Sequence, residues 1–269
     1  EEVLLPQRTG GGEAVLLAEE WQTADAVLHL DWLLRQRGLR GRVSVLWNAN
    51  NEFGFHRIDW PRLDLASVIT TVSRFMKHSM WVHGIDPIVL PHGLSPDAFE
   101  APEAAAVRAF QKRFEGRTVL AKVARFDPDK RWLGALEIVD ALRARGERPL
   151  LIARGGAEAH GHEVMAAAAT RRLRVARRDA GGSGTRALME QLQGLEEADV
   201  VDLRSPIDPE ARRVLFQASD AVLAISGREP FGLVGLETMA AGGVAVTGCS
   251  GEDYAVPGRN ALVMQTPDP

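Results

Sequence analysis

The sequence predicts an α/β protein made of two Rossmann-like domains facing a cleft, with the first domain incomplete. Three observations predict it. Short apolar runs alternate with segments of helical periodicity along most of the chain, which is the pattern of βαβ units and a parallel sheet. The alternation breaks once, at Pro91–His92–Gly93–Leu94–Ser95–Pro96, and then restarts. The chain has 269 residues, enough for two modest domains. The expected division is therefore residues 1–91 and 92–269.

In the first part, residues 1–12 offer only the loop Thr9–Gly10–Gly11–Gly12, followed by the short apolar run Ala14 to Ala18. Glu19 to Ala24 leads into an expected helix, with Ala26, Leu30, Leu33 and Leu34 at helical spacing and Gly38 as its stop. Val43 to Trp47 reads as a buried strand, and Asn48 to Phe55 as a polar loop of the kind that carries binding groups. Ser67 to Val72 is β-branched and reads as a strand. Ser73 is suited to cap a helix that runs from Arg74 to about Val82 and stops near Gly84. Ile88 to Leu90 is a short strand before the break.

The second part restarts with a strand at Val119 to Val123 and a turn at Arg125 to Lys130. A helix from Arg131 to Arg145 places Leu133, Leu136, Val139 and Leu142 on one face. A strand at Leu150 to Ala153 leads into Gly155–Gly156, and a helix is expected from Glu163 to Arg171. Gly181 to Gly184 reads as a flexible loop, Val200 to Leu203 as a strand and Pro209 to Gln217 as a helix. Ala221 to Ile225 is a strand that enters the turn before a helix from Leu233 to Ala241. Val244 to Thr247 and Ala261 to Met264 are the last strands.

Composition narrows the function. The chain is 45% hydrophobic and 25% charged with a net charge of −4, so nothing in it favours nucleic acid or an anionic membrane as partner. Cys249 is the only cysteine, which excludes an internal disulfide and a cysteine-rich zinc site and fits a reducing, cytoplasmic setting. No apolar run reaches roughly eighteen residues, so no integral membrane segment is expected. The first residues, Glu1 to Pro6, and the last, Thr266 to Pro269, look like the interior of a longer protein.

The chemistry concentrates at two turns. Arg125 and Lys130 flank a turn just after a strand, where open α/β sheets bind ligands. A guanidinium holds phosphate oxygens in pairs, and an ammonium adds a compact charge. Glu229 and Glu237 bracket the turn from strand to helix in Ser226–Gly243. Glu237 sits among apolar and small neighbours, where a carboxylate needs a partner such as a sugar hydroxyl. Free N–H groups and the dipole at a helix start favour an anion. His160–Gly161–His162 has no third ligand nearby and is weak ground for a metal. The basic run Arg171 to Arg178 reads as a solvated face. Gly251–Glu252–Asp253–Tyr254 follows a late strand and is a candidate lining segment.

Glu229–Pro230–Phe231–Gly232–Leu233–Val234–Gly235–Leu236–Glu237 resembles the E-x7-E motif of the retaining GT-B glycosyltransferases of family four, the glycogen-synthase-like group. Arg125–Phe126–Asp127–Pro128–Asp129–Lys130 resembles that family's diphosphate turn, and Val89–Leu90–Pro91–His92–Gly93–Leu94 its hinge. Thr71–Val72–Ser73 and Glu20–Trp21–Gln22–Thr23 are also similar to family segments. The resemblance implies a nucleotide-diphosphate sugar donor held by the second domain and a carbohydrate or other hydroxyl acceptor on the first. It places the diphosphate on Arg125 and Lys130, and the donor sugar on Glu229. The donor phosphate falls to the backbone of Phe231, Gly232 and Leu233, and the ribose to Glu237. Gly155 and Gly156 pass near the donor, and Ser205 lies near the base. It implies retention without a metal or other cofactor. The alternative is a donor-binding or regulatory protein without turnover. The chain departs from the family where Glu19–Glu20–Trp21 stands in place of His–Asp–Trp and Asn48–Ala49–Asn50–Asn51 in place of a His–Asn pair.

Overall fold

The computed structural model describes residues 13–179 and 182–266. The Thr9–Gly12 loop and Gly181 lie outside the described residues. The chain divides into two compact units, Glu1–His92 and Gly93–Pro269.

In the first unit, β1 (Ala14–Glu19), β2 (Val43–Ala49), β3 (Val68–Thr71) and β4 (Ile88–Val89) form a parallel sheet in chain order. The connecting helices are α1 (Ala24–Gln36), α2 (Trp60–Ala66) and α3 (Arg74–Met80). Ala24, Val27 and Leu34 form the buried stripe of α1, whereas Ala26, expected on that face, points to solvent. Thr23 precedes the first helical residue, so the stripe starts two positions earlier than the apolar spacing indicated. The Ser73 side chain caps α3 by accepting from Met76 N–H, and Gly84 takes φ 76° where that segment ends. The sequence reading overlooked α2, although Asp59 caps it by accepting from Arg62 N–H and Pro61 sits in its first turn. Trp47, Leu63, Met76 and Met80 make the fully buried centre of this unit.

The second unit holds a parallel seven-stranded sheet in the order β11-β10-β9-β5-β6-β8-β7. Its strands are β5 (Thr118–Val123), β6 (Pro149–Arg154), β7 (Val175–Arg178), β8 (Val200–Leu203), β9 (Ala221–Ala224), β10 (Ala245–Thr247) and β11 (Leu262–Val263). Its helices are α4 (Ala104–Arg113), α5 (Trp132–Ala144), α6 (His160–Thr170), α7 (Gly184–Gln191), α8 (Pro209–Ala218) and α9 (Leu233–Ala240). Alternate strand residues feed two cores, as the pleat requires. Val119, Ala121, Leu150 and Ile152 pack with Phe110 of α4 and Phe216 of α8. Leu120, Leu151 and Leu223 pack with Trp132, Leu136 and Val139 of α5 and Val164 of α6. Trp132 and Ala135 take the place expected for Leu133, which is 40% exposed. The basic run contributes the edge strand β7. Among its arginines, Arg171 pairs with Asp140 at 3.3 Å and Arg174 with Glu197 and Asp199, while Arg178 donates to the Gln191 and Gln193 carbonyls.

The order of this sheet marks where such folds generally bind ligands. From β5 the chain moves to β6 on one side, while β9, which follows much later, pairs with β5 on the other. The β5/β9 boundary is thus the point where the winding reverses. Open α/β sheets bind ligands just outside the carboxyl ends of the strands at such a point.

Candidate active site

The turns after β5 and β9 meet at this boundary. Gly227 N–H donates to Asp129 carbonyl at 2.7 Å, which ties one turn directly to the other. Lys130 forms an ion pair with Glu229 Oε2, and Ser226 Oγ donates to the same oxygen at 2.9 Å. Both members of the pair are largely buried, with side chains 20% and 17% exposed. Arg125 is exposed, and its charge is felt by Glu158, whose carboxylate accepts from Phe126 N–H at 2.9 Å.

The start of α9 is shaped by glycine. Gly232 has φ 82°, a left-handed conformation that favours glycine. A Cβ there would come within 2.7 Å of Glu252 Cγ. Tyr254 hydroxyl donates to Gly232 carbonyl, and its ring tilts against buried Phe231 with centroids 5.6 Å apart. Leu233, the first helical residue, is 42% exposed. No side chain caps this helix, and its first turn carries no acidic residue. The segment Gly251–Tyr254, a lining candidate from the sequence, underpins the turn from below. Ser250 Oγ accepts from Glu229 N–H at 2.9 Å, and Glu252 Oε2 accepts from Ser250 N–H at 3.0 Å.

Glu252 is buried, and its Oε1 has no partner. Burial, with the Glu229 charge adding to it, pushes the carboxyl up to about 7 from 4.5. A carboxyl that holds its proton more tightly when folded loses stability as pH rises from the unfolded value to the folded one. The penalty is therefore absent below about pH 4.5 and complete above about pH 7. Glu252→Gln is expected to be more stable than the parent at pH 8, by up to about 3 kcal/mol, and to melt at a higher temperature. It should differ little at pH 4.5. Thermal melts at the two pH values check this.

Glu237 lies one turn into α9 and pairs with Arg212 of α8 at 3.1 Å. Burial raises its carboxyl above the ordinary value, and Arg212 partly offsets that. The two line a pocket of about 300 Å³ together with Ser95, Asp97, Pro209 and Leu233. Gly155 and Gly156 follow β6. A Cβ on Gly155 would strike the Phe126 ring at 2.0 Å, and one on Gly156 the Glu158 carboxylate at 2.4 Å. These glycines therefore let Phe126 and Glu158 close in behind Arg125. Ser205, after β8, is buried, and its carbonyl accepts from Arg154 Nε at 3.1 Å. Among the described residues, no three histidine, cysteine or acidic side chains group to hold a metal, and His160 Nδ1 contacts Glu163 instead.

Residues 105–269 match the family model for glycosyl transferases group 1. The chain belongs to that family. Solved structures similar to this group 1 glycosyltransferase chain include a UDP-forming α,α-trehalose-phosphate synthase from Burkholderia xenovorans. It has 16% identity and a TM-score of 0.59, over 93% of this chain and 62% of that one. Sucrose-phosphate synthase from Thermosynechococcus elongatus has 19% identity and a TM-score of 0.59, over 93% and 60%. The catalytic domain of starch synthase IV from Arabidopsis thaliana, bound to ADP and acarbose, has 15% identity and a TM-score of 0.61, over 99% and 65%. The likeness establishes the GT-B type of α/β fold. The chain spans somewhat less than two thirds of each of these three. No curated protein sequence matches it. Among the described residues no helix is long and apolar enough to cross a membrane.

In the first unit of this group 1 family member, the departures from the resembled pattern come together. Glu20 follows β1 with φ 68° and ψ 161°, a conformation rare outside glycine. Its carboxylate accepts from Asn50 N–H and Asn51 Nδ2, both at 2.9 Å, and burial raises it above the ordinary value. The Glu19–Glu20 and Asn48–Asn51 segments thus form one polar patch at the carboxyl ends of β1 and β2. Sequence reading also passed over Lys122, Ser226, Ser250 and Arg212. Only Lys122 left a signal, as the single charge in an apolar strand.

Proposed function

We propose that this chain is the donor-binding part of a retaining glycosyltransferase of the family-four type. It moves a sugar from a nucleotide-diphosphate sugar to a hydroxyl acceptor. The observation that carries the reading is the Lys130–Glu229 pair, formed between two turns at the switch point of the sheet and beside the start of α9.

The chemistry follows from charge. When the bond between the anomeric carbon and the donor phosphate oxygen breaks, the sugar becomes oxocarbenium-like and the diphosphate gains negative charge. In this reading Lys130, held by Glu229, the N–H groups at the start of α9 and the exposed Arg125 meet that charge as it develops, which stabilises the transition state. The acceptor oxygen bonds to the anomeric carbon on the face the phosphate leaves, and its proton passes to the departing phosphate oxygen. Retention then requires no paired acid and base. Glu229, paired with Lys130, is assigned to the donor sugar, and Glu237 offers its carboxylate to ribose hydroxyls in the pocket beside Arg212. The cations and the helix start supply the charge stabilisation, so the reading needs no metal or other cofactor. The Glu20 patch is assigned to the acceptor side.

Calorimetric titration with UDP, ADP and GDP, and then with their glucose conjugates, tests the reading, with donor hydrolysis followed alongside. Binding with turnover supports it. Binding without turnover, in this chain and in the full-length protein, favours a donor-binding or regulatory protein. Lys130→Ala is expected to weaken nucleoside diphosphate binding about 100-fold and Arg125→Ala about 10-fold. The larger loss at Lys130 arises because its removal also leaves the Glu229 carboxylate unpaired against the diphosphate. Equal affinity in parent and both variants overturns the assignment.

A further inference from the structure

Lys122 lies in β5, the central strand, and is 1% exposed. Lysine is almost never fully buried without a carboxylate partner. Here the ammonium donates instead to Leu223 carbonyl at 3.1 Å and Ile225 carbonyl at 3.2 Å. It also stands 5.1 Å from the centre of the Trp132 ring. Each anchor leads to one wall of the site. Ile225 directly precedes Ser226, whose hydroxyl holds Glu229. Trp132 donates its indole N–H to Arg125 carbonyl at 2.7 Å. One buried cation thus ties the strand that carries Glu229 to the helix that holds the Arg125 turn.

We infer that Lys122 is a positioning residue of the donor site: its ammonium locks the two turns together, and it takes up a proton when a nucleoside diphosphate settles on them. The inference rests on the donor reading above. The charges facing Lys122 are Lys130 and Arg131 from the turn after β5 and Glu229 from the turn after β9. In the free protein, burial first and Lys130 second push the ammonium down to about 7, while Glu229 opposes them. Part of the population is therefore neutral in mildly alkaline solution. A diphosphate brings negative charge to Lys130 and Arg125 and favours the cationic form, so binding draws a proton from solvent. An apolar residue of the same length would fill the volume without that coupling.

The test is calorimetric titration of the protein with UDP and ADP at pH 8, in buffers of different ionisation enthalpy, because the dependence on buffer counts protons exchanged. The parent is expected to take up roughly half a proton or more per nucleotide. Lys122→Met should bind more weakly and take up none. Glu252→Gln, which removes the other buried group titrating near neutrality, should keep the uptake. Binding by the parent without proton uptake overturns the inference and leaves the donor reading in place, whether or not Lys122→Met folds. Uptake that persists in Lys122→Met, or disappears in Glu252→Gln, overturns it as well. Failure of the parent to bind either nucleotide overturns the donor reading and this inference with it.

Discussion

Replacing Glu229 by glutamine is expected to lower sugar transfer by about 10²–10³-fold while nucleoside diphosphate binding stays the same or tightens. The opposite signs follow from the pairing. Glu229 Oε2 accepts from Lys130 and from Ser226 Oγ, so the carboxylate both orients Lys130 and neutralises it. Glutamine keeps the length and one acceptor but removes the charge. Lys130 is then free to attract phosphate in the ground state, yet it loses the partner that aims it where charge develops on the leaving group. An interaction made mainly in the transition state appears in kcat and kcat/KM together, without a matching rise in KM. Steady-state kinetics with calorimetry on the same preparation separates the two effects. A variant within threefold of the parent in turnover, or one that binds diphosphate 10-fold more weakly, removes Glu229 from the reacting centre.

The two turns of the candidate site were legible in the sequence because they carry particular residue types at short spacing. Arg125 and Lys130 follow one strand, and Glu229 and Glu237 bracket one helix start, so a local reading reaches them. The supports beneath were not legible, because their partners are distant in the chain. Lys122 meets carbonyls about a hundred residues later, and Ser250 and Glu252 return to Glu229 from beyond α9. Helices were lost where their starts resembled breaks: Asp59–Trp60–Pro61 at the start of α2, Pro102 before α4 and the glycine-rich start of α7. In each case the burial of an apolar face against the sheet decided the element, and a turn-like start alone did not reveal it. The stripe of α5 shows the same limit. Periodicity gave the helix, but only packing selects Trp132 and Ala135 over Leu133 for the core.

Gly251→Ala is expected to lower sugar transfer about as strongly as a change at Glu229, although residue 251 contributes no functional group. A Cβ there would fall 2.2 Å from both Glu229 and Pro230 carbonyl oxygens and 2.4 Å from the Pro230 carbonyl carbon. These are backbone atoms, so no side-chain rotation relieves the clash, and either the donor turn or the strand end beneath it must move. The stability cost of such overpacking is about 1–3 kcal/mol, which a folded protein survives. The activity cost is larger, because a displacement of about 1 Å at the reacting groups is worth roughly 100-fold. Glu229 would move with its own carbonyl, taking the Lys130 pair and the start of α9 with it. Gly134 in α5 provides the comparison: a Cβ there meets nothing closer than Arg131 Cβ at 3.9 Å, so Gly134→Ala should gain about 0.5–1 kcal/mol from its helix position. Thermal melts with transfer assays distinguish the cases. A Gly251→Ala protein that melts within a few degrees of the parent yet has lost about 100-fold in transfer shows that the position of this turn sets the rate. Full activity in that variant would mean the turn shifts freely, and the fixed geometry argued for Lys130 and Glu229 would then be wrong.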